Sequence, residues 1–195
     1  MINKRLKAGG GFCLLLAVLL LGIPLKWIFA VIAAAAVHEM GHYLAICLLS
    51  KTGTKVHFLT FSAQMELPSM GAGREAICAM AGPVAGFVLL LFSRWLPRIA
   101  VCAFFQSAWN LLPLYPLDGG RCLLCILKAI LSPPKVRRIY LTVVVIVCVL
   151  LVTLAFYASF VLEMGMFPFL LLTLMLFRTK FTLQTGEFRS TIQSS

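Results

Sequence analysis

A histidine pair at helical spacing, His38-Glu39-x-x-His42, has the residue types needed for metal-assisted hydrolysis. On an α-helix, side chains four residues apart lie one turn apart on the same face, so both imidazoles can bind one metal ion. Zinc accepts histidine nitrogens and in catalytic sites keeps one position open for water. Glu39 lies beside these ligands and can accept a proton from that water. The alternative interpretation is a pair of core histidines whose spacing matches by chance.

A catalytic zinc usually has three protein ligands, so the third must come from another region of the chain. Inside the apolar body the candidates are Asp118, Glu163 and the cysteines. Asp118 is the only aspartate, and it follows a helix break at Pro113 and Pro116, where a carboxylate can turn inward. We therefore predict Asp118 as the third ligand, although Asp-Gly is also a common loop-end turn.

Asn110 lies one to two helical turns before Asp118. An amide at that place can donate a hydrogen bond to substrate or to a developing oxyanion. It can equally be an amide that packs between helices, and the sequence does not choose between the two roles.

The composition points to a membrane protein. Hydrophobic residues make up 62% of the chain, charged residues 12%, and the mean hydropathy is +1.02. These values exclude an ordinary soluble domain and indicate the lipid bilayer as the surroundings. The net charge of +11 does not indicate a nucleic-acid partner, because the basic residues flank apolar runs instead of forming a stripe with exposed aromatics.

The predicted fold class is an all-α polytopic membrane protein with about six transmembrane helices. The predicted spans lie near residues 11–25, 28–49, 74–92, 99–120, 139–160 and 162–177. Polar and apolar residues alternate over 59–67, which predicts a strand of a small membrane-associated β-hairpin or, alternatively, a surface loop. The first apolar run has no cleavage site after it and is expected to be retained.

Six spans place both termini on one side, and the excess of Lys and Arg on that side assigns them to the cytoplasm of a multi-pass cell-membrane protein. We predict one transmembrane domain over residues 1–178, with its catalytic core over 28–131, and a polar tail over 179–195. The sequence gives no indication of the oligomeric state.

Three motifs together resemble the site-2 protease family of intramembrane zinc metalloproteases, over about residues 28–131. They are His38-Glu39-Met40-Gly41-His42, Gly82-Pro83-x-x-Gly86 and Asn110-x-x-Pro113-x-x-Pro116-Leu117-Asp118-Gly119. The last motif is most similar to the bacterial sporulation-type branch, whose members cleave a membrane-associated pro-sigma factor.

The resemblance implies regulated intramembrane proteolysis of a membrane-associated protein substrate. It implies Zn²⁺ bound by His38, His42 and Asp118, a catalytic Glu39 and a substrate-orienting Asn110. It also implies that residues 56–67 form a hairpin that pairs with extended substrate. No PDZ-like insert is present and the chain ends soon after the sixth predicted span, so neither a PDZ domain nor the nucleotide-sensing tail of the sporulation branch is expected.

Two other functions compete with proteolysis. The first is a catalytically inactive relative that binds a membrane partner, but such proteins lose the base that Glu39 supplies here. The second is a metal-handling membrane protein, which would need further polar residues along a path through the spans. Only Glu163 and scattered cysteines are available for such a path.

Overall fold

The computed structural model describes residues 24–49, 71–163, 165, 166, 169, 172 and 173. Within these ranges all regular structure is helical. Five α-helices follow one another, and a short 3₁₀ helix over Leu89–Phe92 continues the second. They are α1 (Leu25–Leu49), α2 (Ala72–Val88), α3 (Pro97–Asn110), α4 (Asp118–Ile130) and α5 (Pro133–Phe160).

Three helical segments are long and apolar enough to cross a bilayer: Leu25–Leu49, Ala72–Phe92 and Pro133–Phe160. Many of their apolar side chains face outward; Leu48 is 84% exposed and Leu150 is 62% exposed. A soluble protein would bury such side chains, whereas lipid solvates them at little cost. The fold therefore supports a membrane protein, with lipid contacting the outward faces of α1 and α5.

The helices pack in a layered order that brings distant regions of the sequence together. α1 lies against α2 and α3, α2 also lies against α4, and α5 packs on α4. Leu114 and Leu124 meet Val136, Tyr140 and Val144 of α5 in the main apolar cluster. The loop before α4 is thus fixed from one side by α5.

The prediction of an all-helical membrane protein is confirmed for the described residues, but six spans are not shown. The predicted span over 74–92 agrees with α2 and its 3₁₀ extension. α3 has 14 residues, about 21 Å of helix, and is too short to cross a hydrocarbon core of about 30 Å. The predicted hairpin over 56–67, nearly all of the first span, most of the sixth and the tail over 179–195 lie outside the described residues.

Two predicted boundaries are wrong for identifiable reasons. The fifth span is predicted near residues 139–160, whereas α5 begins at Pro133. Proline is well suited to the first helical position, where its missing N–H has no partner to lose. Likewise the fourth span is predicted over 99–120, yet α3 ends at Asn110, and Gly119 and Gly120 lie in the first turn of α4.

Candidate metal centre

The side chains of His38, His42 and Asp118 converge between α1 and the start of α4. Nε2 of His38 lies 3.0 Å from Oδ2 of Asp118, and Nε2 of His42 lies 3.2 Å from the same oxygen. The two Nε2 atoms are 3.2 Å apart. His38 and Asp118 are buried and His42 is half-buried. The structure therefore brings together the three residues that the sequence predicts as ligands.

The approach of Asp118 depends on the broken backbone before it. Residues 111–117 are not helical, yet the N–H groups of the leucines among them find local acceptors; that of Leu117, for example, donates to the carbonyl of Leu114 over 2.8 Å. A Cβ at Gly119 would overlap the backbone of Leu111, and one at Gly120 would overlap the backbone of Leu114. The two glycines therefore let the first turn of α4 fold directly onto the loop, which aims the carboxylate at α1.

A backbone carbonyl of α2 orients the second histidine. Nδ1 of His42 donates a hydrogen bond to the carbonyl oxygen of Cys78 over 2.8 Å. Because a carbonyl can only accept, Nδ1 carries the proton, and in a neutral ring the Nε2 lone pair points into the cluster. By contrast, Nδ1 of His38 is buried without a hydrogen-bond partner among the described residues. The position of His38 is therefore set by packing and by its contacts at Nε2.

Small residues allow α2 to lie close to the ligands. A Cβ at Gly82 would overlap the imidazole of His42, and a Cβ at Gly41 would meet the carbonyl oxygen of Ala81 at 2.5 Å. The sequence alone does not show what packs against the Gly82-Pro83-x-x-Gly86 motif. In the structure the His42 ring packs against its first glycine. Gly86 allows a similar close approach a turn further along α2, against the hydroxyl of Ser107.

The donor set fits a zinc ion. Ligand atoms about 2.0–2.2 Å from a tetrahedral zinc lie about 3.3–3.5 Å apart, and the three observed separations are 3.0, 3.2 and 3.2 Å. In addition, the Nε2 lone pair of neutral His42 faces a carboxylate oxygen of Asp118. Two acceptors at that distance repel each other unless a proton or a cation lies between them. These observations show a group that could bind a metal.

The two predicted catalytic residues occupy different surroundings. Glu39 follows His38 directly on α1 and its side chain is exposed, whereas Asn110 is half-buried at the last residue of α3. Neither has a hydrogen bond to the three ligands among the described residues. Their catalytic roles stay predictions.

A tether that sequence analysis missed joins the loop to α5. The N–H of Tyr115 donates to the hydroxyl of Tyr140 over 2.7 Å, and Tyr140 is fully buried. This bond fixes the loop three residues before Asp118. The only signal in the sequence is a tyrosine within an apolar span, which identifies no partner 25 residues away.

The fold and the cluster thus indicate a helical membrane protein in which two histidines and one aspartate form a group that could bind a metal ion. No family model matches the chain. Over 142 residues it is 27% identical to stage IV sporulation protein FB of Bacillus subtilis, covering 65% of this chain and 49% of that protein. Over 111 residues it is 32% identical to a Mesorhizobium japonicum protein named as a zinc metalloprotease, covering 54% of this chain and 26% of that protein.

A solved structure shares the fold. The site-2 protease from Methanocaldococcus jannaschii matches with a TM-score of 0.52 and 21% identity, covering 76% of this chain and 73% of that one. The chain therefore shares the fold of a site-2 protease and resembles in sequence two curated relatives, one of them named as a zinc metalloprotease. It spans about half the length of the first curated relative and about a quarter of the second.

Proposed function

We propose that this protein is a zinc endopeptidase that cleaves membrane-associated protein substrates within the bilayer. The observation that carries the proposal is the convergence of His38 and His42 of α1 with Asp118 of α4. α1, and α2 packed beside it, are apolar enough to span a membrane. Burying ionisable side chains in such surroundings costs free energy, so their presence indicates a functional site. The names of the Mesorhizobium and Methanocaldococcus relatives support proteolysis and zinc as the metal.

In the proposed mechanism, different residues bind the metal ion, transfer the proton and orient the substrate. His38, His42 and Asp118 would hold the ion, which supplies polarisation of the scissile carbonyl and acidification of water. Glu39, exposed beside the ligands, would accept a proton from the attacking water and pass it to the leaving amine. Asn110, at the end of α3, would orient the substrate through its amide. The Cys78 carbonyl, which accepts a hydrogen bond from Nδ1 of His42, would keep Nε2 of that ring available as a metal ligand.

The membrane topology follows the same proposal. We place the chain in the cell membrane with several passes and cytoplasmic termini, because Lys and Arg concentrate at that side of the predicted spans. Residues 56–67 would pair with extended substrate as a hairpin. The resemblance of the motif from Asn110 to Gly119 to the sporulation-type branch supports a membrane-associated substrate.

The competing functions have less support. An inactive relative would not need Glu39, and this chain keeps it directly after the first ligand. A metal-handling protein would need a chain of further sites, whereas the structure shows one candidate ligand group among the residues it describes. A metal-handling function also leaves the similarity to a protein named as a zinc metalloprotease unexplained.

Two measurements test the proposal. The first is the metal content of protein purified in detergent without chelator, comparing wild type with His38→Ala. We expect about one zinc per chain in the wild type, since the cluster provides a single three-ligand site, and a loss of that zinc in the variant. The second is cleavage of a reconstituted membrane substrate by Glu39→Gln, which should keep its zinc and lose activity. Wild-type cleavage by Glu39→Gln would remove Glu39 from the mechanism, and wild-type protein without metal would refute the zinc site.

A further inference from the structure

A cavity separate from the candidate metal centre lies at the amino-terminal end of α1. It has a volume of about 610 Å³ and is formed by the first two turns of α1 and by the connection between α2 and α3. This volume falls within the range of small-molecule sites, about 300–1,000 Å³. Its lining is mostly apolar, including Phe29, Ile32 and Leu96. Nothing in the proposed proteolysis uses it.

The charge of this cavity is entirely of one sign. Lys26 and Arg98 are its charged lining residues, and no acidic side chain lines it. Both are exposed, so their head groups can turn toward a ligand. The cavity also receives the amino-terminal ends of two helices, α1 at Leu25 and α3 at Pro97. Helix amino termini carry partial positive charge, which adds to the attraction for an anion.

Because much of the lining is apolar, a matching ligand needs a hydrophobic part as well as a negative charge. Trp95, which is 71% exposed, and Phe29, which is 69% exposed, offer large hydrophobic surfaces beside the two cations. Aromatic and basic residues together are typical of the level of the lipid head groups. Basic pockets between membrane helices bind the head groups of anionic lipids.

We propose that this cavity, the Lys26–Arg98 groove, binds one anionic phospholipid. Its phosphate lies between Lys26 and Arg98, and an acyl chain runs along Phe29 and Ile32 of α1. The inference rests on the proposed placement in the membrane and is independent of the proteolytic activity. Lys26 precedes His38 by 12 residues, about 18 Å along the helix. A lipid in the groove would therefore fix the depth of α1 without touching the metal ligands.

Brominated lipid quenching can test the groove directly, because Trp95 lines it. The full chain would be reconstituted into phosphatidylcholine vesicles containing increasing brominated phosphatidylglycerol. Trp27 and Trp109, which do not line the groove, are replaced by phenylalanine in every variant. We expect saturable quenching of Trp95 by phosphatidylglycerol, and no saturation with brominated phosphatidylcholine of the same chains.

Single substitutions then assign the head-group contacts. Lys26→Gln and Arg98→Gln should each weaken the apparent affinity about five-fold, and the double variant about 30-fold. Arg94→Gln is the matched control, since Arg94 lies in the same connection but does not line the groove. It should weaken the affinity less than about two-fold. Melting of each variant in detergent alone checks that the fold is kept.

Three results would overturn the proposal. Equal quenching by the two lipids would show ordinary solvation of an apolar surface. If Arg94→Gln weakened the apparent affinity for phosphatidylglycerol as much as Arg98→Gln does, general surface charge would explain the binding. Absence of quenching, together with cross-linking of a Leu96→Cys variant to the first 23 residues or to a second copy, would show that protein fills the groove. Loss of zinc or of cleavage leaves each of these readouts unchanged, so the two proposals fail separately.

Discussion

Replacing Gly82 with alanine tests whether the close approach of α2 holds the second ligand in place. A Cβ at this position would lie 2.6 Å from Cε1 and 2.7 Å from Cδ2 of the His42 ring, whereas nonbonded carbons prefer about 3.5–4.0 Å. The ring must therefore move by about 1 Å. Metal–ligand distances tolerate changes of only about 0.2 Å. The movement that relieves the overlap thus also removes His42 from the cluster.

We expect Gly82→Ala to lower zinc affinity by at least about 100-fold, the upper end of the effect of altered orienting contacts. The overpacking itself should cost about 1–3 kcal/mol of folding free energy. Zinc affinity can be measured by competition with a chromophoric chelator. The absorption of cobalt-substituted protein would report the loss of one nitrogen ligand, which destabilisation alone does not produce.

Two glycines of the same helix provide controls. Gly73→Ala meets no atom within 4 Å, so it should keep wild-type zinc affinity. Gly86→Ala overlaps the Ser107 hydroxyl instead of a ligand and should destabilise the fold without changing the cobalt spectrum. A Gly82→Ala variant that binds zinc as tightly as Gly73→Ala would refute the reasoning, because the ring would then have escaped the overlap without leaving the metal.

Two further substitutions test the third ligand and its support. Asp118→Asn should weaken zinc binding, because an amide replaces the only carboxylate within the cluster; unchanged metal content would show that Asp118 is not the third ligand. Tyr140→Phe removes the acceptor of the Tyr115 N–H and should cost about 1–3 kcal/mol in denaturant unfolding. It should also lower zinc affinity by loosening the loop before Asp118, and a variant with both values at wild-type level would show that the tether does not position the ligand.

The ligands could be predicted because their signals are local or rare. His38 and His42 lie on one face of a helix whatever surrounds them. Asp118 stands out as the only aspartate, at a visible helix break. Only the fold brings these residues together. The third ligand could still be predicted, because the apolar part of the sequence contains few side chains able to bind a metal ion.

The contacts that orient the ligands had no comparable signal. The partner of His42 Nδ1 is a backbone carbonyl, which every residue has. The Gly82-Pro83-x-x-Gly86 motif indicated close packing, yet only the structure shows that its first glycine faces an imidazole and its last a serine. The boundary of α5 was missed because basic residues near Pro133 suggest a turn, although prolines also begin helices. Local rules thus predict which residues could bind a metal ion, while tertiary packing decides which contacts orient them.

The separation of the ligands along the chain has a consequence for biosynthesis. His38 and Asp118 are 80 residues apart, and a ribosome adding about 5–20 residues per second needs about 4–16 s to pass from one to the other. During that interval the nascent chain offers two imidazoles without the carboxylate. Tight metal capture must wait until α4 has folded onto α1 and α2. A chain that stalls before residue 118 therefore lacks the third residue of the cluster, so unfinished translation products cannot assemble the complete metal-binding group.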